Sequence, residues 1–167
     1  MSVENRESND GFDVKLFVNP ERCMNYQCGI CLHVMNDPVN INCRHSHHFC
    51  KDCAHKIPKN YDNTVSCPMC RDKIPFVGIK INHFVERLMN NELIIKKCIH
   101  KCRLKHVKLG EYIKHLRDGC PNEIIKCKHK CGNKIMRKNI LKHEQTCIMK
   151  AFFESDLSTF IKPNKTN

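Results

Sequence analysis

Fourteen cysteines in 167 residues, no tryptophan and only 7% aromatic residues predict a string of small α+β modules stapled by metal, not one domain built on a large apolar core. The cysteines come in close pairs: Cys28 with Cys31, Cys50 with Cys53, Cys67 with Cys70, Cys98 with Cys102, and Cys127 with Cys131. Such a pair brings two thiolates to one point, and a zinc ion takes four ligands of this kind in a tetrahedron. Met1 to Asp10 is polar, acidic and read as disordered, with no apolar run of a secretory leader. No apolar stretch approaches the length of a membrane span. The expectation is therefore reduced, zinc-bound thiols in a cytoplasmic chain, with the nucleus left open, and not disulfides.

The densest ligand stretch reads Cys28-Gly29-Ile30-Cys31, then Cys43-x3-His47-x2-Cys50-x2-Cys53, then Cys67-Pro68-Met69-Cys70. Seven cysteines and one histidine make eight ligands, enough for two closed sites. The stretch resembles the RING finger of ubiquitin ligases, and Asp37-Pro38-Val39, His47-His48-Phe49-Cys50 and Arg71 extend the likeness. The resemblance implies a cross-brace. Cys28, Cys31, Cys50 and Cys53 would hold one zinc, and Cys43, His47, Cys67 and Cys70 the other. Three histidines, His45, His47 and His48, lie between Cys43 and Cys50. His47 fits the family's His-x-Phe-Cys, with His45 as the alternative.

Around these ligands the pattern sets out short elements. A lead-in over 11–25 carries Phe12, Val14, Leu16, Phe17 and Val18 and is expected to pack on the outer face of the eight-ligand module. Cys23, outside every pair, reads as a small half-buried residue. Residues 31–43 suit a loop and a short strand, and Phe49 to Ile57 suit a helix stopped by Pro58. A polar loop, Lys59 to Ser66, and an extended exit, Ile74 to Ile81, come next. Asn82 is placed to cap a connecting helix through Leu93, with Val85, Leu88 and Met89 on a packing face.

The second half repeats itself. Cys98-x3-Cys102-x12-His115-x4-Cys120 is followed by Cys127-x3-Cys131-x11-His143-x3-Cys147, a period of 29 residues at the first two ligands and 27 at the last. Each unit follows a β-branched pair, Ile94-Ile95 or Ile124-Ile125. Each histidine lies in a helical pattern, Leu109, Tyr112, Ile113 and Leu116 in one, Ile135, Met136, Ile140 and Leu141 in the other. The reading is a hairpin carrying two thiolates and then a helix presenting histidine, with one zinc joining them. His100 and His129, inside the knuckles, read as exposed spectators.

These units resemble TRAF-type zinc fingers, and residues 11–148 resemble the RING plus zinc-finger half of TRAF-like ubiquitin ligases. The expected domains are a RING with its lead-in at 11–80, a connecting helix at 81–93, ββα-like fingers at 94–121 and 122–148, and a short tail at 149–167. In that tail Phe152, Phe153, Leu157, Phe160 and Ile161 suit two turns of amphipathic helix. It is too short for the coiled coil and receptor-binding domain of the best-known family members, so trimerisation and receptor recognition are not carried over.

No motif here offers catalysis of its own. Filled four-ligand zinc sites leave no position for water, and no glycine loop cradles phosphate. What the resemblance implies is an E3 ubiquitin ligase that binds a ubiquitin-charged conjugating enzyme and holds the ubiquitin for attack, by positioning and without a covalent intermediate. Ile30, Pro68 and Arg71 match the family's contact positions, and Ile57 matches a fourth that packing explains equally well. The fingers would meet a substrate or adaptor. Residues 96–150 hold 16 lysines and arginines against 4 acids, which points to an acidic partner surface or to soluble helix faces. Thirteen ligand thiolates and four zinc ions would bring the formal net charge from +12 to about +7. Two other functions compete. One is an inactive zinc-binding adaptor or decoy of TRAF-like signalling. The other is a nucleic-acid binder, weakened because Tyr112 is the sole aromatic in the basic segment.

Overall fold

A computed structural model describes residues 11–75 and 80–152. The expectations for Met1 to Asp10, for residues 76–79 of the exit segment and for the tail beyond Phe152 lie outside the described residues. The chain divides into two compact units between His115 and Leu116.

In the first unit the chain enters through a 3-10 turn, Val14–Leu16, where the Asp13 carboxylate accepts from the Lys15 N–H at 2.8 Å. Helix α1, Pro20–Cys23, comes next with proline in its first turn, where a missing N–H costs nothing. Strands β1, Pro38–Asn40, and β2, His48–Cys50, pair antiparallel with Val39 opposite Phe49, both fully buried. Helix α2, Lys51–His55, starts directly after Cys50. The expected helix from Phe49 starts later, because His48–Cys50 is taken up by the ladder to β1, and it ends at His55 instead of Ile57. A second hairpin, β3 (Thr64–Ser66) with β4 (Lys73–Pro75), turns Val65 and Ile74 inward. Strand β5, Lys80–Ile81, adds to the other edge of β1.

Helix α3, His83–Glu92, begins where expected. The Asn82 side chain accepts from the N–H groups of Phe84 and Val85, each at 3.2 Å, satisfying two donors that the helix leaves open. Strands β6, Ile94–Lys97, and β7, Lys105–Lys108, form a hairpin, and helix α4, Leu109–Asp118, continues from it without a break.

The lead-in has two partners where one was expected. Phe12 bridges Val34 in the eight-ligand module, with hydrogen bonds of 2.7 and 2.9 Å. Five residues on, Phe17 bridges Ile95 of β6, and the Val18 N–H donates to Ile94 O at 2.8 Å. The Phe12 ring also stands edge-on to Tyr112 at 6.4 Å. Gly11 makes the crossing possible, since a Cβ there would lie 2.0 Å from the Val34 carbonyl oxygen. Phe17, Val34, Met89, Leu93, Ile95, Leu109 and Tyr112 are all buried. Cys23 is fully buried rather than half-buried, and burial pushes its thiol pKa up.

The second unit repeats the hairpin-helix order. Strands β8, Ile124–Lys126, and β9, Lys134–Met136, pair with Ile125 opposite Ile135. A 3-10 turn, Arg137–Asn139, leads into helix α5, Ile140–Gln145. Ile135 and Met136, expected in the helix, belong to the strand, because their ladder to Ile125 and Ile124 completes the hairpin. Buried Glu123 is paired by Arg137 at 2.8 Å, and the Arg137 N–H donates to the Glu123 carbonyl at 2.7 Å. No helix among the described residues is long and apolar enough to cross a membrane.

Phe17 is 1% exposed, so truncation leaves a cavity where the lead-in meets β6. Phe17→Ala should destabilise the zinc-loaded chain by about 3–5 kcal/mol, read from denaturant unfolding followed by circular dichroism. A loss below about 1 kcal/mol would show that the lead-in is not part of the cooperative fold.

Candidate metal centres

Four of the five close cysteine pairs are made by tight turns whose backbone is bent back on itself. Leu32 and Arg71 come directly after the second cysteine of their knuckles, both at φ 61°, and donate N–H to the carbonyls of Cys28 and Cys67 at 2.9 and 2.8 Å. In the repeat units Lys101 and Lys130 take this role, at φ 53° and 55°, donating to the carbonyls of Cys98 and Cys127. Of the remaining ligands, Cys50 ends β2, Cys53 lies in α2, His115 in α4 and His143 in α5, while Cys43, His47, Cys120 and Cys147 lie between elements.

Four sets result: Cys28, Cys31, Cys50 and Cys53; Cys43, His47, Cys67 and Cys70; Cys98, Cys102, His115 and Cys120; Cys127, Cys131, His143 and Cys147. Within each set the ligand atoms all lie within 4.8 Å of one another. The individual edges are more telling. Cys31–Cys50 and Cys127–Cys147 have Sγ···Sγ separations of 3.8 Å. His47 Nδ1 is 3.4 Å from the sulfurs of both Cys43 and Cys67. His115 Nε2 is 3.6 and 3.5 Å from Cys98 and Cys102, and His143 Nε2 is 3.4 Å from Cys131. A tetrahedron with Zn–S of about 2.3 Å and Zn–N of about 2.0 Å has S···S edges of about 3.8 Å and S···N edges of about 3.5 Å. No disulfide forms, since all fourteen cysteines are free. The donor sets therefore fit four zinc ions.

Electrostatics agree. A side-chain hydrogen bond from Cys50 pulls the Cys28 thiol pKa down to about 4, while the same bond pushes that of Cys50 up. Burial pushes Cys53 to about 12. So many sulfurs at one point cannot all ionise without a cation among them. Backbone N–H groups of Ile30 and Cys50 point at the Cys28 sulfur at 3.5 and 3.4 Å, as suits a thiolate.

The first two sets alternate along the chain, and this interleaving fastens the module at two points. His47 stands in the ligand set, whereas His45 is exposed beside it with ring centroids 5.7 Å apart. His100 and His129 lie outside the sets but are half-buried, not exposed. The His129 Nε2 is fully covered, so the knuckle tips fold over more than their sequence positions suggest.

Ile30, Pro68 and Arg71 are exposed. The knuckles that carry them meet: a Cβ on Gly29 would lie 2.5 Å from the Met69 sulfur, so the glycine makes room for Met69. Ile57 is only 8% exposed and packs inside the module. Leu32 and Met69, 68% and 55% exposed, join this apolar rim. Sequence reasoning passes over both, although each adjoins a ligand cysteine. It also misses the Arg44–Asp72 pair, which has no local signature. The Asp72 carboxylate accepts from the Arg44 backbone N–H at 2.8 Å, from Arg44 Nε at 2.7 Å and from Nη2. Arg44 holds the Asp72 carboxyl at about 2, well below the usual range.

Residues 28–70 match the profile of the zinc finger of C3HC4 type, the RING finger. This stretch is a RING finger. Over 92 residues, 55% of it, the chain is 33% identical to the E3 ubiquitin-protein ligase RNF125 of Macaca fascicularis, covering 36% of that protein. It is 37% identical over 68 residues to mouse tripartite motif-containing protein 30A and 34% identical over 64 residues to the mouse E3 ubiquitin-protein ligase TRIM21. Those matches take in 36% and 38% of this chain and 13% of each relative. The chain thus spans about a third of the length of RNF125 and about an eighth of the two tripartite-motif proteins.

Native mass spectrometry of the purified chain should find four zinc ions, and Cys98→Ser should lower the count to three while leaving both RING ions bound. A count of two in the unaltered chain would remove the repeat units as metal centres.

Proposed function

We propose that the chain is a RING-type E3 ubiquitin-protein ligase that docks a ubiquitin-charged conjugating enzyme on its RING. The observation that carries this reading is the joined pair of knuckles. Met69 seats over Gly29, and Ile30, Pro68 and Arg71 are exposed on the loops so joined. The names of RNF125 and TRIM21 as E3 ubiquitin-protein ligases support it. Ile30 and Pro68 supply apolar contact with the conjugating enzyme, whereas Ile57, 8% exposed, serves packing. Arg71 bridges to ubiquitin. A planar guanidinium with five donors can engage carbonyls of two partners at once, and a lysine cannot match that geometry. The rate gain comes from holding the thioester and its attacker in a productive arrangement, without bonds to the ligase. The two hairpin-helix units act as TRAF-type fingers that recognise substrate or adaptor. Exposed Lys96, Lys97, Lys105 and Lys108 on one hairpin, and Lys126 and Lys134 on the other, suit an acidic partner surface.

Single-turnover discharge of ubiquitin from a charged conjugating enzyme tests the reading. The intact chain should accelerate it. Ile30→Ala and Arg71→Ala should each slow it at least about tenfold, equivalent to about 1.4 kcal/mol, with four zinc ions retained. Ile30→Ala should weaken binding of the conjugating enzyme, and Arg71→Ala should leave that binding unchanged. A chain inactive with a broad panel of conjugating enzymes would instead be an adaptor or decoy.

A further inference from the structure

We propose that Arg44 and Asp72 form a positioning pair that sets the direction of Arg71; the role rests on the ligase reading above. Arg71 lies between two anchored neighbours. On one side is Cys70, a ligand of the second RING site. On the other is Asp72, whose carboxylate takes three hydrogen bonds from Arg44, itself next to the ligand Cys43. The Asp72 carbonyl also accepts from the Cys67 N–H at 2.8 Å, and the Arg71 N–H donates to the Cys67 carbonyl at 2.8 Å. The chain on both sides of Arg71 is therefore anchored, while its own side chain is exposed and has no partner among the described residues.

The backbone at Arg71 is where such holding would act. Arg71 sits at φ 61°, a left-handed conformation that costs a residue with a Cβ roughly 1–2 kcal/mol. Leu32 shares it at the other knuckle, so the turn itself asks for this geometry. The knuckles differ at the next position: after Arg71 comes a carboxylate clamped across the metal site, and after Leu32 comes a histidine. If Arg71 relaxed to negative φ, its Cα–Cβ bond would swing to another side of the loop. The guanidinium would then miss its partner even with the zinc still bound. Arg44 and Asp72 touch neither conjugating enzyme nor ubiquitin in this scheme; they act through Arg71.

A double-mutant cycle in the full chain tests this, using single-turnover discharge, affinity for the conjugating enzyme and zinc content. Asp72→Asn and Arg44→Ala should each slow discharge about fivefold, with affinity within about twofold of the parent and four zinc ions bound. In the Arg71→Ala background, Asp72→Asn should slow discharge no further. Full activity of Asp72→Asn, additive slowing in the Arg71→Ala background, or loss of zinc would each overturn the proposal. A second arm needs no ligase activity. The Cα shift and N–H/Hα coupling of Arg71, read by nuclear magnetic resonance, should leave the left-handed range in Asp72→Asn; unchanged values would overturn the pair's role. An intact chain without discharge activity would sink the ligase reading, and this arm would still decide whether the pair holds the Arg71 backbone.

Discussion

Metal–thiolate coordination is the constraint on which this fold depends. The strands of the RING are two or three residues long, and helix α2 has five residues. Elements this short do not persist in water on their own backbone hydrogen bonds. A structural zinc bound by thiolates supplies on the order of 10 kcal/mol of folding free energy. The ordered elements accordingly start or stop at ligands: β2 ends on Cys50, β3 runs up to Cys67 and β6 runs up to Cys98. Apolar packing is secondary and local, with Val39 and Phe49 in the RING and Leu109 and Tyr112 beside the third site. Tyr112 shows how the two kinds of support combine, since its buried ring stacks on the ligand His115 at 6.5 Å.

This economy has a chemical counterpart. Loops held by metal can be short, irregular and still rigid, so apolar side chains can be displayed on them without a core behind. Ile30, Leu32 and Met69 remain exposed where a conventional small domain would bury them. Two arginines near the second site divide the work. Arg44 commits its donors to Asp72, and Arg71 keeps its donors for solvent or a partner.

The metal sets are legible because spacing alone encodes a knuckle; pairs such as Cys67 and Cys70 declare themselves without any knowledge of the rest of the chain. His47 is favoured over His45 by the His-x-Phe-Cys motif that the resemblance supplies, not by spacing from Cys43, and of the two only His47 joins the ligand set. The errors share a cause. Phe49 and the pair Ile135–Met136 fit a helix in sequence because short apolar runs suit both periods, and cross-strand partners decide the matter. The second partner of the lead-in and the Arg44–Asp72 pair are invisible for a related reason. Both join residues far apart in sequence, where neither propensity nor spacing leaves a trace.

The lead-in also imposes an order on the birth of the molecule. Phe12 and Phe17 leave the ribosome first, yet Ile95 and Tyr112, which cover them, are made only after the RING sequence has been completed. During synthesis the eight RING ligands can gather their ions while those two aromatic rings still lack their partners Ile95 and Tyr112. A segment translated before the RING is thus completed only after it, and the nascent chain carries an aromatic hook until the first repeat unit emerges to receive it.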